Sequence, residues 1–369
     1  MNFQSVLFIE MPSSHTERAM LNSFLVTTMT LLLTTFIAYT ILLPDSYGQV
    51  GRYLNLSGNP GNSTFPSLAI SGNNVYVIWT DNTTGNGDVY LKRSVDNGTT
   101  FGSLESISSN PGKSLDPEIA VSQDKLYIVW TDETTGNGDI YFKASLDKGV
   151  TFSNFENLSN NTGSSVSPQI AVSGNNVYVI WTDNTTGNGD VYFKASLDNG
   201  LKFKGKKILG KNIGSSLDPQ IAVSENNTVV FGIWRDNTQY DPPQNATSPN
   251  FDLLIRTSSN GGGNFTDRNT VGKTVGDFAD YAQIVIPAGK SDVSIVWSDI
   301  YRYREPATYD LFFQSITNNG STLNDPINLS NNEGNSTIPK IAISKNGTTH
   351  VVWTDSTTGN GDIYYSRVH

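Results

Sequence analysis

An all-β ring of six blades is the fold that this 369-residue sequence predicts, and three observations carry the prediction. Six W-x-D triplets recur at Trp79–Asp81, Trp130–Asp132, Trp181–Asp183, Trp234–Asp236, Trp297–Asp299 and Trp353–Asp355, at intervals of 51, 51, 53, 63 and 56 residues. A fixed period of this size means stacked copies of one supersecondary unit. Each copy holds short β-branched and aromatic runs separated by Gly, Asn, Asp and Ser clusters, without helical periodicity. That pattern describes antiparallel strands joined by tight turns. A turn with a recurrent grammar then follows the third run of the first five copies.

The third copy shows the plan. Pro168–Ser173, Asn176–Thr182 and Asp190–Ser196 read as three strands, and Lys206–Gly210 takes the place of a fourth. Four short strands per repeat describe a propeller blade. Inner strands begin near Pro66, Pro117, Pro168, Pro219, Ala282 and Pro339, so the ring has six blades. The last copy stops after its third strand. Arg52–Ser57 matches Asp325–Ser330 and Phe155–Ser159, so an N-terminal strand is expected to complete the last blade. Such closure would remove an open sheet edge. Residues 50–369 are thus expected to form one domain, because no blade is stable alone.

The turn grammar is clearest at Ser94-Val-Asp96-Asn-Gly98-Thr-Thr100-Phe101 and Ser145-Leu-Asp147-Lys-Gly149-Val-Thr151-Phe152. Ser196–Phe203 keeps most of it, while Ser258–Phe265 and Ser315–Thr322 are degraded. This S-x-D-x-G-x-T-F pattern resembles the Asp-box (BNR) repeat of the sialidase-like six-bladed propellers. The resemblance spans residues 51–369. In this motif Ser and Asp bond back to turn amides and Gly supplies positive φ, so its role is structural. The resemblance implies that a ligand sits on the opposite face, where the loops joining second to third strands and fourth to first strands meet.

Bulk properties narrow the function classes. Phe24–Leu43 carries no charge and is long enough to span a bilayer, so residues 1–49 read as a secretory signal peptide or a signal anchor. Either reading places the repeats outside the membrane, extracellular or at the cell surface. Fourteen N-x-[ST] triplets, Asn62, Asn82, Asn184, Asn245 and Asn346 among them, suit a secreted glycoprotein. The absence of cysteine excludes disulfides and thiolate chemistry. A net charge of −10 argues against nucleic-acid partners and against attraction to anionic membranes. Membrane contact is expected only through the N-terminal segment, and the protein is expected to be a monomer.

On the expected ligand face, four loops are near copies: Asp81–Asp88, Asp132–Asp139, Asp183–Asp190 and Asp355–Asp362. Their oxygen-bearing residues could coordinate Ca2+, or could cap loop amides. Blades four and five break this pattern with longer, proline-containing loops, and such loops on rigid scaffolds carry function. Arg235, Tyr240 and Asp241 in the first, with Tyr301, Arg302, Arg304, Glu305 and Tyr309 in the second, are the candidate ligand-binding residues. Tyr and Arg together suit sugar or carboxylate recognition through stacking and bidentate bonds. Nearer the axis, Ser67, Glu118, Gln169, Gln220, Gln283 and Lys340 open the inner strands, preceded by Asp116, Asp218 and Tyr281 at three of them.

Enzymes of the family use three arginines on a sialic carboxylate, a tyrosine nucleophile with a glutamate, and an aspartate acid/base. The stretch matching the family's R-I-P motif reads Ser63-Thr-Phe-Pro-Ser-Leu-Ala69, without arginine. No catalytic residue or metal ligand is therefore assigned. The leading expectation is a binding or interaction module for a glycan or an extracellular protein. An exo-acting glycoside hydrolase using Tyr301 or Tyr309 with Glu305 is the alternative, and a structural envelope protein the third reading.

Overall fold

The computed structural model describes residues 54–369 except 212, 227, 238–250, 273–277, 288, 301–307, 345–346, 360 and 369. Blade one comprises β1 (Ser63–Ser71), β2 (Asn74–Asp81), β3 (Asp88–Ser94) and β4 (Glu105–Ser106). Blade two repeats it as β5 (Ser114–Ser122), β6 (Lys125–Asp132), β7 (Asp139–Ser145) and β8 (Glu156–Asn157). Blade three follows as β9 (Ser165–Ser173), β10 (Asn176–Asp183), β11 (Asp190–Ser196) and β12 (Lys207–Ile208). Blade four is β13 (Ser216–Val223), β14 (Val230–Asp236), β15 (Asp252–Ser258) and β16 (Asn269–Val271).

Blade five holds β17 (Asp280–Val285), β18 (Val293–Ile300) and β19 (Tyr309–Thr317). Two short strands then share the outer edge of β19: β20 (Thr322–Leu323), reached through a 3-10 turn, and β21 (Ile327–Asn328). Blade six is β22 (Ser336–Ile343), β23 (Thr349–Asp355) and β24 (Asp362–Val368). Every sheet is an antiparallel meander, and the six make the expected propeller. The expected closing strand spans Arg52–Ser57. Arg52 and Tyr53 lie outside the described residues, Leu54–Ser57 has no strand assignment, and blade six has three strands among the described residues. The hydrophobic segment Phe24–Leu43 also lies outside them. No helix among the described residues is long and apolar enough to cross a membrane.

The W-x-D triplet explains how each blade holds. Strand alternation puts Trp and Asp on one face. Trp130 stacks on its cross-strand neighbour Tyr141 at 5.8 Å and Trp181 on Tyr192 at 5.9 Å. Trp297 and Trp353 stack likewise on Phe312 and Tyr364, and Trp234 faces Leu254 instead. In all six blades the indole N–H donates to the Asp two residues later, at 2.9 to 3.3 Å. Adjacent blades then pack face to face. Tyr127, Val129 and Phe142 of blade two share a core with Val177, Val179 and Trp181 of blade three. Fully burying one such side chain is worth about 1.5–3 kcal/mol, so the ring stands without disulfides.

The Asp-box turns are structural, as the motif predicts. Ser94 Oγ donates to Asp96 Oδ1 (2.7 Å) and accepts from Gly98 N (2.9 Å), while Thr100 N and Oγ1 donate to Asp96 at 2.9 and 2.6 Å. The same bonds recur around Asp147. Thr100's hydroxyl and amide, then Ser94, hold the Asp96 carboxyl down at about 2. These turns share an end with the turns joining first to second strands: Lys148 pairs with Asp124 at 3.4 Å, and Lys125 donates to Asn199 at 2.8 Å. The opposite end is equally consistent, since Asn86 of one loop type donates to Pro111 O of the other.

Candidate functional site

Each inner strand is interrupted at one place on that opposite end. Pairing shifts between Thr64 and Ser67 on β1, and equivalent breaks interrupt the other five inner strands. The residue at each break is left-handed: Phe65 (φ 52°), Asp116 (49°), Ser167 (53°), Asp218 (50°), Tyr281 (52°) and Ile338 (53°). None is glycine, so each costs of order 1 kcal/mol or more. Backbone strain of this kind clusters where side chains must be aimed, and a bulge re-aims them.

Four of the six line a cavity of about 340 Å3 at the mouth of the central channel: Phe65, Asp116, Ser167 and Asp218, with Glu118, Gln169 and Gln220. A second cavity of about 450 Å3 shares Asp218 and Gln220 with it and adds Arg235, Asp280, Tyr281 and Gln283. Phe65 and Tyr281 leave roughly half their surface exposed at the rim (54% and 46%). Deeper, Glu118 accepts from Ser67 Oγ at 2.8 Å and Gln169 Nε2 at 3.2 Å, and feels the charge of Lys340 from blade six. Burial pushes both the Asp116 and Glu118 carboxyls above their usual range; for Glu118 the Ser67 and Gln169 donors and Lys340 act the other way.

Arg235 organises the second cavity. It occupies the middle of W-x-D, where blades one, two, three and six have Thr80, Thr131, Thr182 and Thr354. Its Nε donates to Asp218 Oδ2 at 2.9 Å and Nη2 bonds the same oxygen, while Nη1 lies 3.3 Å from Asp280 Oδ1 of blade five. The guanidinium covers the ring of Phe251, 5.1 Å from its centroid. Phe251 meets Phe278 edge-on at 6.1 Å, and Phe278 meets Tyr309 at 6.2 Å. Burial, then the charges of Asp280, Tyr281 and Asp299, push the Tyr309 hydroxyl up against the pull of Arg235. Asp299 closes the cluster from below, accepting from Phe278 N at 2.9 Å and Trp297 Nε1 at 3.3 Å. Its burial, only partly offset by these donors, raises the carboxyl to about 7.

Of the residues expected from sequence, Arg235 and Tyr309 are thus brought into one cluster. Tyr240, Asp241, Tyr301, Arg302, Arg304 and Glu305 lie outside the described residues. Asp280, Phe251 and Phe278 were not singled out by sequence, because each is remote from its partners in the chain and none belongs to the repeated motifs. The repeated loops are capped: Asp81 accepts from Ser63 Oγ (2.8 Å), Trp79 Nε1 (3.3 Å), Asn59 Nδ2 and Thr83 N (2.9 Å), and Asp88 accepts from Thr84 Oγ1 (2.8 Å). Those carboxylates satisfy protein donors, which is the amide-capping arrangement. Among the described residues no three His, Asp or Glu side chains converge as metal ligands.

Comparison with known proteins supports the fold. No family model and no curated protein matches the chain. Among solved structures, it is similar to the GH93 α-L-arabinofuranosidase of Fusarium graminearum in complex with arabinobiose, at 12% identity over 83% of this chain and 93% of that one, TM-score 0.52. It is also similar to the intramolecular trans-sialidase from Ruminococcus gnavus in complex with oseltamivir carboxylate, at 10% identity over 88% and 98%, TM-score 0.53. A third is the leech intramolecular trans-sialidase with 2,7-anhydro-Neu5Ac, at 9% identity over 87% and 70%, TM-score 0.53. The chain therefore has the sialidase-like six-bladed propeller fold seen in these glycosidases.

Proposed function

We propose that the protein recognises a neutral saccharide at the channel mouth, working outside the cell as a monomeric glycan-binding propeller. The state of Arg235 carries this reading. It is the one arginine among the described residues that lines either cavity, and Asp218 and Asp280 already bracket it. Four carboxylates (Asp116, Glu118, Asp218, Asp280) face two cations (Arg235, Lys340), so an acidic sugar would meet net repulsion. Carboxylates and the amides of Gln169, Gln220 and Gln283 suit sugar hydroxyls, and exposed Phe65 and Tyr281 offer faces for stacking.

A second reading is hydrolysis of such a glycan, favoured by one observation. Asp116 and Glu118 share a cavity and both hold their protons more tightly than usual, as a general acid must. The raised Tyr309 hydroxyl counts against a tyrosine nucleophile. The test is a panel of immobilised neutral and sialylated oligosaccharides probed with the full chain, run beside hydrolysis of aryl α-L-arabinofuranoside and aryl α-sialoside. Binding confined to neutral glycans, and weakened by Phe65→Ala with Tyr281→Ala, is expected. Turnover abolished by Asp116→Asn or Glu118→Gln would establish the hydrolytic reading. Selective capture of sialylated glycans would refute both.

A further inference from the structure

Blades one to three have nearly the same sequence, yet the outer strand of the third reverses charge. Register makes the equivalence firm: Glu105 pairs with Leu91, Glu156 with Phe142, and Lys207 with Phe193. Across each preceding seam the glutamate faces a lysine of the next blade, Glu105 acting on Lys143 and Glu156 on Lys194. The residue of blade four at the Lys143 and Lys194 position is Arg256. The seam between blades three and four therefore carries Lys207 on one side and Arg256 on the other, where its predecessors carry opposite charges.

Further facts mark that seam as rich in cations. Lys207 Nζ donates to Gly263 O of blade four. Arg256 Nε is buried without a hydrogen-bond partner among the described residues, and the charges of Arg268 and Asp267 act on this guanidinium in opposite directions. Lys202, Lys204 and Lys206, all exposed, stand where blades one and two have Thr, Gly or Ser, and Leu or Phe. Residues 199–217 contain five lysines and no acidic residue, in a chain of net charge −10. None of those five lysines has an ion-pair partner among the described residues.

We propose that this edge binds a linear anionic polysaccharide, whose sulfate or carboxylate groups take the place that Glu105 and Glu156 hold at the preceding seams. A single-stranded nucleic acid would need exposed rings for its bases, and the one aromatic residue in the stretch, Phe203, is buried (9% exposed). Local charge here overrides the acidic average, because at physiological salt a surface charge acts over only about 8 Å.

Full-chain protein applied to immobilised heparin, to alginate and to neutral dextran tests this, the first two separating sulfate from carboxylate. Retention on one or both polyanions beyond that on dextran, falling steeply with salt, is expected. Lys207→Glu recreates the pattern of blades one and two and so should fold normally, while weakening retention roughly tenfold. The exposed pair Lys204→Glu and Lys206→Glu should do the same, and Lys290→Glu on blade five should change nothing. Wild-type protein that elutes with the dextran control at about 50 mM salt overturns the proposal. So does unchanged retention of the folded variants, or tighter binding to single-stranded DNA or phosphatidylserine vesicles than to either polysaccharide.

Discussion

Blade three and blade five use the same W-x-D staple to opposite ends. In blade three Asp183 is fully buried and accepts from Asn161, Ser165 (2.9 Å), Trp181 (3.3 Å) and Thr185 N (3.0 Å). Those donors outweigh the burial that would raise its carboxyl, and hold it below the usual range. In blade five Asp299 keeps the Trp297 bond but has Phe278 N in place of the Asn and Ser side chains, and burial wins. Where the repeat is kept, the polar groups serve the fold. Where it lapses, in blades four and five, side chains such as Arg235, Asp280 and Tyr309 are left to form a site.

The largest contrast should come from one isosteric change made in both places. Asp183→Asn puts an amide among four donors and should cost about 3 kcal/mol, because each stranded buried donor costs about 1–3 kcal/mol. Asp299→Asn should stay within about 1 kcal/mol of the wild type, since a neutral side chain already suits that pocket. Chemical denaturation of both variants measures the difference, and equal losses would dissolve the distinction.

Next comes Arg235→Thr, which gives blade four the residue of blades one to three. It should abolish saccharide binding while costing about 1 kcal/mol in stability, since the ion pairs are partly exposed. Calorimetric titration alongside a melting curve separates the two effects. Undiminished binding would remove Arg235 from the site.

The two aspartates also set opposite pH slopes. Asp299 is raised to about 7 from about 3.9 in an unfolded chain. Its contribution is complete below pH about 4 and is lost as pH rises through 7. Asp81, held at about 2 by Thr83, Asn59 and Ser63 against the opposing effect of burial, contributes above pH about 4 and loses that contribution as pH falls. Asp299→Asn should therefore raise the melting temperature at pH 8 more than at pH 5. Asp81→Asn should flatten the acid limb instead.

The smallest effect belongs to the Asp-box of blade four, where Asn260 accepts from Ser258 Oγ (2.9 Å) and Asn264 N (2.7 Å) in the place of Asp96. Asn260→Asp should stabilise by about 0.5 kcal/mol through charge-assisted bonds. A melting shift of a degree or two would register it, and a loss would separate blade four from its neighbours in the turn as well.

These contrasts also mark how far sequence carries. Six W-x-D triplets and the Asp-box turns fixed the blade count and the inner strands, because both motifs are local and repeated. Arg235 and Tyr309 were reachable as departures from the repeat. The left-handed residues were half visible: Asp116, Asp218 and Tyr281 stood out as polar groups, whereas Phe65, Ser167 and Ile338 did not. A following proline disfavours helix for five of the six, but it does not distinguish left-handed from extended backbone. Asp280 meets Arg235, and Phe278 meets Phe251, only through the packing of blade four against blade five, which no local pattern encodes. The reversed charge at Lys207 was readable by aligning the blades, yet its meaning needed Arg256 on the far side of the seam.

Asp218 and Asp280 neutralise Arg235, so the most direct measurement is a ratio of affinities. Full-chain protein and its Asp218→Asn/Asp280→Asn form should be titrated with a neutral arabino-oligosaccharide and with a sialylated oligosaccharide of similar length. The wild type should favour the neutral sugar, and freeing the guanidinium should move the ratio toward the acidic one by about tenfold, as a charge-assisted bond of about 1.5 kcal/mol or more implies. A wild type that prefers the sialylated sugar, or a ratio indifferent to both substitutions, would contradict it.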